Sequence, residues 1–159
     1  MSLFTSSELR EAGLSASRIV SKSAYSILRE DVASFSESKT YDIFLSYSSK
    51  DADETLGLKT IIEKLGYTVY VDWDDPNLDR SKVSPNTASL LKVRMKTCRS
   101  LFFATSENSP TSKWMPWELG YFDAFKEVIP AIRLAISLYR FKGASTKIII
   151  FWAAIEPSA

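Results

Sequence analysis

The chain has 159 residues, 45% of them apolar and 25% charged, with a net charge of +1, one cysteine and no histidine. These counts exclude Ser-His-Asp and Cys-His nucleophilic sites, histidine-based zinc sites and a disulfide-bonded secreted scaffold. The near-neutral charge argues against a dedicated nucleic-acid binder, and no apolar run approaches the roughly 18 residues of a membrane span. We therefore expect a cytoplasmic protein of ordinary size whose chemistry, if any, rests on carboxylates, hydroxyls, lysine or arginine.

Residues 1–40 are rich in serine and predict a helical extension. Thr5 and Glu8 fit a capping box, in which a hydroxyl and a carboxylate satisfy exposed backbone amides reciprocally. We expect Gly13 to end this first helix and a second helix to begin after Ser15, where apolar residues recur at helical spacing. Such an extension either packs on the main domain or serves as a helix for partner binding or oligomerisation.

From residue 41 the pattern changes to alternating strands and helices. Two buried strands, over residues 41–47 and 67–73, are separated by a helix that Ser48, Ser49 or Asp51 can cap. This is the spacing of a β-α-β unit with a parallel sheet. The elements expected after them are a helix starting at Ser84-Pro85, a strand over residues 100–105, a helix through Glu118, and strand candidates at 128–136 and 147–155. The sequence therefore predicts a doubly wound α/β domain over residues 41–159.

Polar and aromatic residues follow the predicted strands at their carboxyl ends, where ligands bind sheets of this kind. These ends are Ser46-Tyr47-Ser48, Asp72-Trp73-Asp74 and Thr105-Ser106. Hydroxyls, carboxylates and aromatic rings suit a small polar ligand, and the same residue types are also common in turns.

Glu118 is the candidate for a reactive carboxylate. It falls in the first turns of a predicted helix, whose N-terminus favours a negative charge. Trp114 lies four residues earlier, on the same helical face. Spacing alone leaves two interpretations, a reactive carboxylate beside an aromatic wall or an ordinary helix-start charge. We expect Glu118 to be accessible to solvent, so that its replacement by alanine leaves folding nearly untouched.

Taken together, these segments resemble a TIR (Toll/interleukin-1 receptor) domain, and most closely the bacterial TIR-like proteins of antiphage defence of the Thoeris type. Trp114-Met-Pro-Trp-Glu118 matches the Trp-x-x-x-Glu segment that carries the catalytic glutamate of enzymatic TIR domains. The other matching segments are the opening strand and loop at 41–51, the second strand at 70–73, the BB loop at 74–84 and the third strand at 100–106. The resemblance covers residues 41–132 and implies a flavodoxin-like, doubly wound parallel sheet of about five strands.

The resemblance implies an enzyme that cleaves the nicotinamide–ribose bond of NAD⁺ and leaves ADP-ribose or a cyclised isomer that acts as an antiviral signal. NAD⁺ is then the substrate, with no metal and no bound cofactor, and Glu118 is the catalytic residue. The residues implied to bind the substrate are Ser46, Tyr47, Ser48, Asp72, Trp73 and Trp114. Nicotinamide leaves as a neutral molecule and needs no general acid, which suits a chain without histidine.

Two other functions stay open. A non-enzymatic TIR adaptor would pair with other TIR domains through residues 74–84, and Glu118 would then be only a helix-start charge. A nucleoside deoxyribosyltransferase also sets a glutamate against an anomeric carbon. For a TIR protein we expect self-association or TIR–TIR assembly, and for an enzyme also a downstream effector that responds to the product. Neither nucleic acid nor a membrane is expected as a partner.

Overall fold

The structure is a computed structural model of the chain and describes residues 4–33, 35–36, 38–73, 84–125 and 150–153. The strands are β1 (Tyr41–Ser46), β2 (Val69–Tyr70), β3 (Cys98–Ala104) and β4 (Ile150–Ala153). The α-helices are α1 (Ser6–Val20), α2 (Ala24–Ala33), α3 (Ala52–Lys64), α4 (Pro85–Lys96) and α5 (Met115–Phe125), and a 3₁₀ turn covers Ser109–Thr111. No helix within these ranges has the length and apolar character that crossing a membrane requires.

The described strands form one sheet in the order β2-β1-β3-β4. β2 and β3 both run parallel to β1, whereas β4 pairs with β3 in the antiparallel direction. The described sheet therefore has three parallel strands and one antiparallel strand, which corrects the expected sheet of about five parallel strands. Among the described strands β4 lies at the edge, where sheets of this class commonly carry an antiparallel strand. The strand candidate at 128–136 and nearly all of the predicted BB loop, 74–83, lie outside the described residues.

Each face of the sheet packs against a different set of helices. Ile43 and Leu45 of β1 belong to a buried cluster formed with α1, α2 and α3. The intervening Phe44 points to the opposite face, where it belongs to a second cluster with Leu91 of α4 and Phe122 of α5. Helices on both faces of a mainly parallel sheet confirm the predicted doubly wound α/β fold.

The first helix is longer than its sequence predicts. The capping box is confirmed, since the amide of Glu8 donates to Thr5 Oγ1 at 3.2 Å and the amide of Thr5 donates to Glu8 Oε2 at 2.7 Å. The helix then continues through Gly13, so the prediction that it ends there and restarts after Ser15 is wrong. The reason is tertiary, because Gly13 lies against α3: a Cβ built on it would stand 2.0 Å from the carbonyl oxygen of Asp53.

Polar contacts add to the packing of the N-terminal helices on α3. Glu54, a buried residue of α3, accepts from Ser6 Oγ at 3.0 Å and from Arg10 Nη2 at 2.5 Å. Lys59 of α3 pairs with Asp31 of α2 at 3.1 Å. Both N-terminal helices therefore pack on α3, whereas a domain boundary after residue 40 stays a prediction.

Asp42 joins three segments at the amino end of the sheet. Its Oδ2 accepts from the amide of Thr68 at 2.8 Å and from Thr68 Oγ1 at 2.7 Å, and Arg99 Nη1 donates to its Oδ1 at 3.3 Å. The Thr68 amide, supported by the Thr68 hydroxyl and the Arg99 charge, outweighs partial burial and lowers the pKa of Asp42.

This lowered pKa predicts a pH-dependent contribution to stability. The folded pKa of Asp42 lies below the unfolded value of about 3.9, so the contribution is present above that value and is lost as pH falls through the folded pKa. We expect Asp42→Asn to lower the free energy of unfolding by about 1 kcal/mol near neutral pH. The difference from wild type should shrink below about pH 3. Urea unfolding of both proteins, near neutral pH and below about pH 3, measures this difference in the free energy of unfolding. A difference that is the same at the two pH values would contradict the prediction.

Candidate active site

Glu118 lies in the first turn of α5, as predicted. Its amide donates to the carbonyl oxygen of Trp114 at 2.8 Å, the first helical bond, and the amide of Met115 donates to Ser112 Oγ at 3.2 Å. The exposed amides of a first helical turn carry partial positive charge. The start of the helix therefore provides a favourable environment for the Glu118 carboxylate.

The side chain of Glu118 is fully buried, with 0% of its surface exposed. The expectation of a solvent-accessible carboxylate is therefore wrong. The cause is the apolar character of its neighbours, because Trp114, Met115 and Phe122 are all buried and draw the start of α5 onto the sheet. Ser46 Oγ, at the end of β1, donates to Glu118 Oε2 at 2.6 Å. A buried carboxyl group requires such a hydrogen-bond partner.

Asp72 is placed beside Ser46 by the register of the parallel strands. Phe44 pairs with Tyr70, so continuing that register by two residues sets Asp72 level with Ser46. Side chains alternate along a strand, which puts Asp72 on the face that carries Glu118. Asp72 is also fully buried. The structure thus brings Ser46 and Glu118 into contact, and the extended register puts Asp72 on the same face of the sheet.

Tyr47 and Trp73 form an aromatic pair on the opposite face of the sheet. Their rings stack with centroids 4.9 Å apart and planes 20° from parallel, and Tyr25 of α2 meets Trp73 edge-on at 5.9 Å. Both belong to the cluster shared with α1, α2 and α3. The two rings therefore lie among core residues on the side away from Glu118.

Trp114 is packed as a core residue beside the start of α5. It belongs to the second buried cluster, and its ring meets that of Trp117 edge-on at 5.5 Å. Trp117 in turn stacks on Tyr121 with the centroids 5.4 Å apart. Contact of Trp114 with a substrate stays a prediction.

A small recess, with room for about one water molecule, opens at the carboxyl edge of β1 and β3, next to the start of α3. Its lining residues are Tyr47, Ser48, Asp51, Glu54, Thr55, Leu58, Ala104 and Ser106. Ser46 and Glu118 do not line it, because they point to the other face of the sheet. The predicted site residues thus fall into two groups, with Ser46, Asp72, Trp114 and Glu118 on the α5 side and Tyr47, Ser48 and Trp73 on the α3 side.

Asp51 makes a contact that sequence reasoning missed. It precedes α3 as predicted, but its side chain makes no cap hydrogen bond to the helix. Its carboxylate instead accepts from Ser106 Oγ and Asn108 Nδ2, each at 2.5 Å, which ties the loop after β1 to the loop after β3. Asn108 gave no signal beyond its loop composition, because the contact depends on the parallel pairing of two strands distant in sequence.

Two curated bacterial proteins are similar to this chain. A probable 3' cyclic ADP-D-ribose synthase ThsB' of Bacillus cereus (strain MSX-D12) is 54% identical over 119 residues, which are 74% of this chain and 62% of that protein. A putative cyclic ADP-D-ribose synthase TIR2 of Cytobacillus dafuensis is 35% identical over 85 residues, 52% of this chain and 22% of that protein. The matched part of the chain thus spans less than two thirds of either relative. No protein-family model matches the sequence.

Proposed function

We propose that the chain is a bacterial TIR-like protein of the Thoeris type, which cleaves the nicotinamide–ribose bond of NAD⁺ and makes a cyclic ADP-ribose-type signal in antiphage defence. Both relatives carry the name of a cyclic ADP-D-ribose synthase. The observation that carries the proposal is the pairing of Glu118 with Ser46 at 2.6 Å, which gives the Trp-x-x-x-Glu segment a fixed carboxylate.

The proposed reaction needs one carboxylate and no general acid. As the glycosidic bond breaks, nicotinamide keeps the electron pair and departs neutral, while the ribose develops oxocarbenium character. A fixed negative charge at Glu118 stabilises this positive charge. Water then attacks the anomeric carbon in hydrolysis, or a hydroxyl of the same molecule attacks it in cyclisation. The attacking oxygen loses one proton in either case, and a carboxylate such as Glu118 can accept it.

The remaining site residues are proposed to hold the rest of the NAD⁺ molecule. Ser48 and Tyr47 line the recess at the carboxyl edge, where ligands of parallel sheets bind. Asp72 lies level with Ser46, close to where the ribose would meet Glu118. Because Glu118 has no exposed surface in this structure, binding of NAD⁺ at its carboxylate requires residues that cover it to move aside.

The proposal also includes the biological setting of the enzyme. We place the reaction in the cytoplasm, where NAD⁺ is available, and expect self-association or TIR–TIR assembly of the chain. A cyclic product acts as a signal only if a downstream effector responds to it. An effector that binds the cyclic product is therefore part of the proposed function.

Incubation of the purified full chain with NAD⁺ tests the proposal. We expect free nicotinamide and an equal amount of ADP-ribose or of a cyclic ADP-ribose, which is lighter by one water, resolved by mass and chromatographic retention. Intact NAD⁺ at high protein concentration would contradict the proposal and favour the adaptor alternative. Base exchange on a deoxynucleoside without NAD⁺ turnover would favour the deoxyribosyltransferase alternative.

A further inference from the structure

We propose that Ser46 is a positioning residue, which holds the Glu118 carboxylate in its reactive orientation and does not itself contact NAD⁺. This role rests on the proposed function, because it is defined by the reaction at Glu118. It also replaces the expectation that Ser46 binds the substrate directly.

The hydroxyl of Ser46 donates a hydrogen bond to the carboxylate of Glu118. A serine hydroxyl has one proton to donate, and Ser46 Oγ donates it to Glu118 Oε2 at 2.6 Å. Only 1% of the surface of Ser46 is exposed. The one proton of this hydroxyl is therefore already engaged by the carboxylate of Glu118.

The backbone of Ser46 is held in the sheet by the pairing of β1 with β3. Ser46 is the last residue of β1 and pairs with Phe103 of β3, and β2 pairs with β1 further back, at Ile43 and Phe44. A strand with a neighbour on each side has little freedom to shift. The Ser46 hydroxyl is therefore a fixed point to which a mobile group can be attached.

The carboxylate of Glu118, by contrast, stands at the end of a flexible side chain. Apolar packing of Trp114, Met115 and Phe122 fixes the start of α5, but such contacts are non-directional and do not set the rotation of a carboxylate. A directional hydrogen bond does so. Small displacements of a reacting group from its productive geometry cost large factors in rate.

Four variants separate this role from simple stabilisation. Ser46→Ala removes the donor, Ser46→Cys keeps a side chain of similar size with a weak donor, and Ser46→Thr keeps a hydroxyl. Ser100→Ala is the matched control, because Ser100 is also buried and its Oγ donates at 2.6 Å to the carbonyl oxygen of Asp42, at the far end of the sheet. Each variant is assayed for kcat and KM of nicotinamide release and for urea unfolding.

We expect kcat to fall as the hydrogen-bond donor at position 46 becomes weaker. Ser46→Ala should lower kcat by about 10- to 100-fold with KM changed less than about twofold, because a lost hydrogen bond to a charged group acts on the reacting carboxylate. Ser46→Thr should keep most of the wild-type kcat, provided that the site accommodates its extra methyl group. The kcat of Ser46→Cys should be higher than that of Ser46→Ala. Ser100→Ala should keep kcat within about twofold of wild type, even if its free energy of unfolding falls by as much as that of Ser46→Ala.

Four results would overturn the proposal. A wild-type kcat with a raised KM in Ser46→Ala would show a substrate contact instead, and equal losses of kcat in Ser46→Ala and Ser100→Ala would show general destabilisation. A wild-type chain that leaves NAD⁺ intact would overturn the proposed function and this role together. An active wild type with an equally active Ser46→Ala would overturn the role of Ser46 alone.

Discussion

Glu118→Gln is expected to lower the rate of nicotinamide release from NAD⁺ by at least about 100-fold, because the amide removes the negative charge beside the developing oxocarbenium ion. Glutamine keeps nearly the volume of glutamate and can still accept the hydrogen bond from Ser46, so the fold should be preserved. Steady-state kinetics with NAD⁺, together with urea unfolding, measure both effects. A fully active Glu118→Gln would contradict the assignment and leave Glu118 a helix-start charge, as in a TIR adaptor.

Glu107→Gln is the matched control for this substitution. Glu107 is an exposed residue of the loop before α5 and differs from Glu118 mainly in burial and position. We expect its activity to stay within about twofold of wild type, because an exposed charge outside the site acts weakly through solvent. Loss of activity in both variants would indicate a general electrostatic effect in place of a specific one.

Glu118→Ala gives a different result from the one that sequence reasoning predicts. Because Glu118 is fully buried, truncation leaves a cavity and removes the acceptor of the Ser46 hydroxyl. We expect a loss of about 2–4 kcal/mol in the free energy of unfolding. Inactivity of Glu118→Ala alone would therefore confound folding with chemistry, which makes Glu118→Gln the informative variant.

The location of the candidate site could be predicted from sequence, and its internal contacts could not. Carboxyl ends of parallel strands meet at one edge, so Ser46, Asp72 and Glu118 could all be assigned to that edge from the order of strands and helices. The hydrogen bond between Ser46 and Glu118 depends in addition on how α5 docks on the sheet. That docking is set by apolar contacts with Trp114 and Phe122, which periodicity does not resolve at the level of single atoms.

The N-terminal helices show the same limit in the fold. Thr5 and Glu8 act within one helical turn, so their capping box could be recognised from four residues. The role of Gly13 cannot be assigned from its sequence neighbours alone, because a glycine can end a helix or can allow two helices to pack closely. Its partner, Gly57, lies on a different helix, and nothing local in the sequence connects the two.

Gly57→Ala is expected to lower the free energy of unfolding by about 2–4 kcal/mol, through a clash that outweighs the roughly 1 kcal/mol by which alanine favours a helix. A Cβ on Gly57 would lie 1.9 Å from the carbonyl oxygen of Leu9, and one on Gly13 would lie 2.0 Å from that of Asp53. The obstructing atoms are backbone, so no side chain can turn aside and α1 must move away as a unit. Gly13→Ala should therefore show the same loss.

Gly120→Ala is the control for helix propensity, because Gly120 is an exposed residue of α5 and a Cβ there would meet no described atom within 4 Å outside its own helix and adjoining residues. It should gain up to about 1 kcal/mol in urea unfolding. Limited proteolysis should cut α1 faster in Gly57→Ala than in Gly120→Ala. Displacement of α1 would also take Arg10 from Glu54, which lines the recess. Equal stability of Gly57→Ala and Gly120→Ala would show that α1 does not need this close crossing.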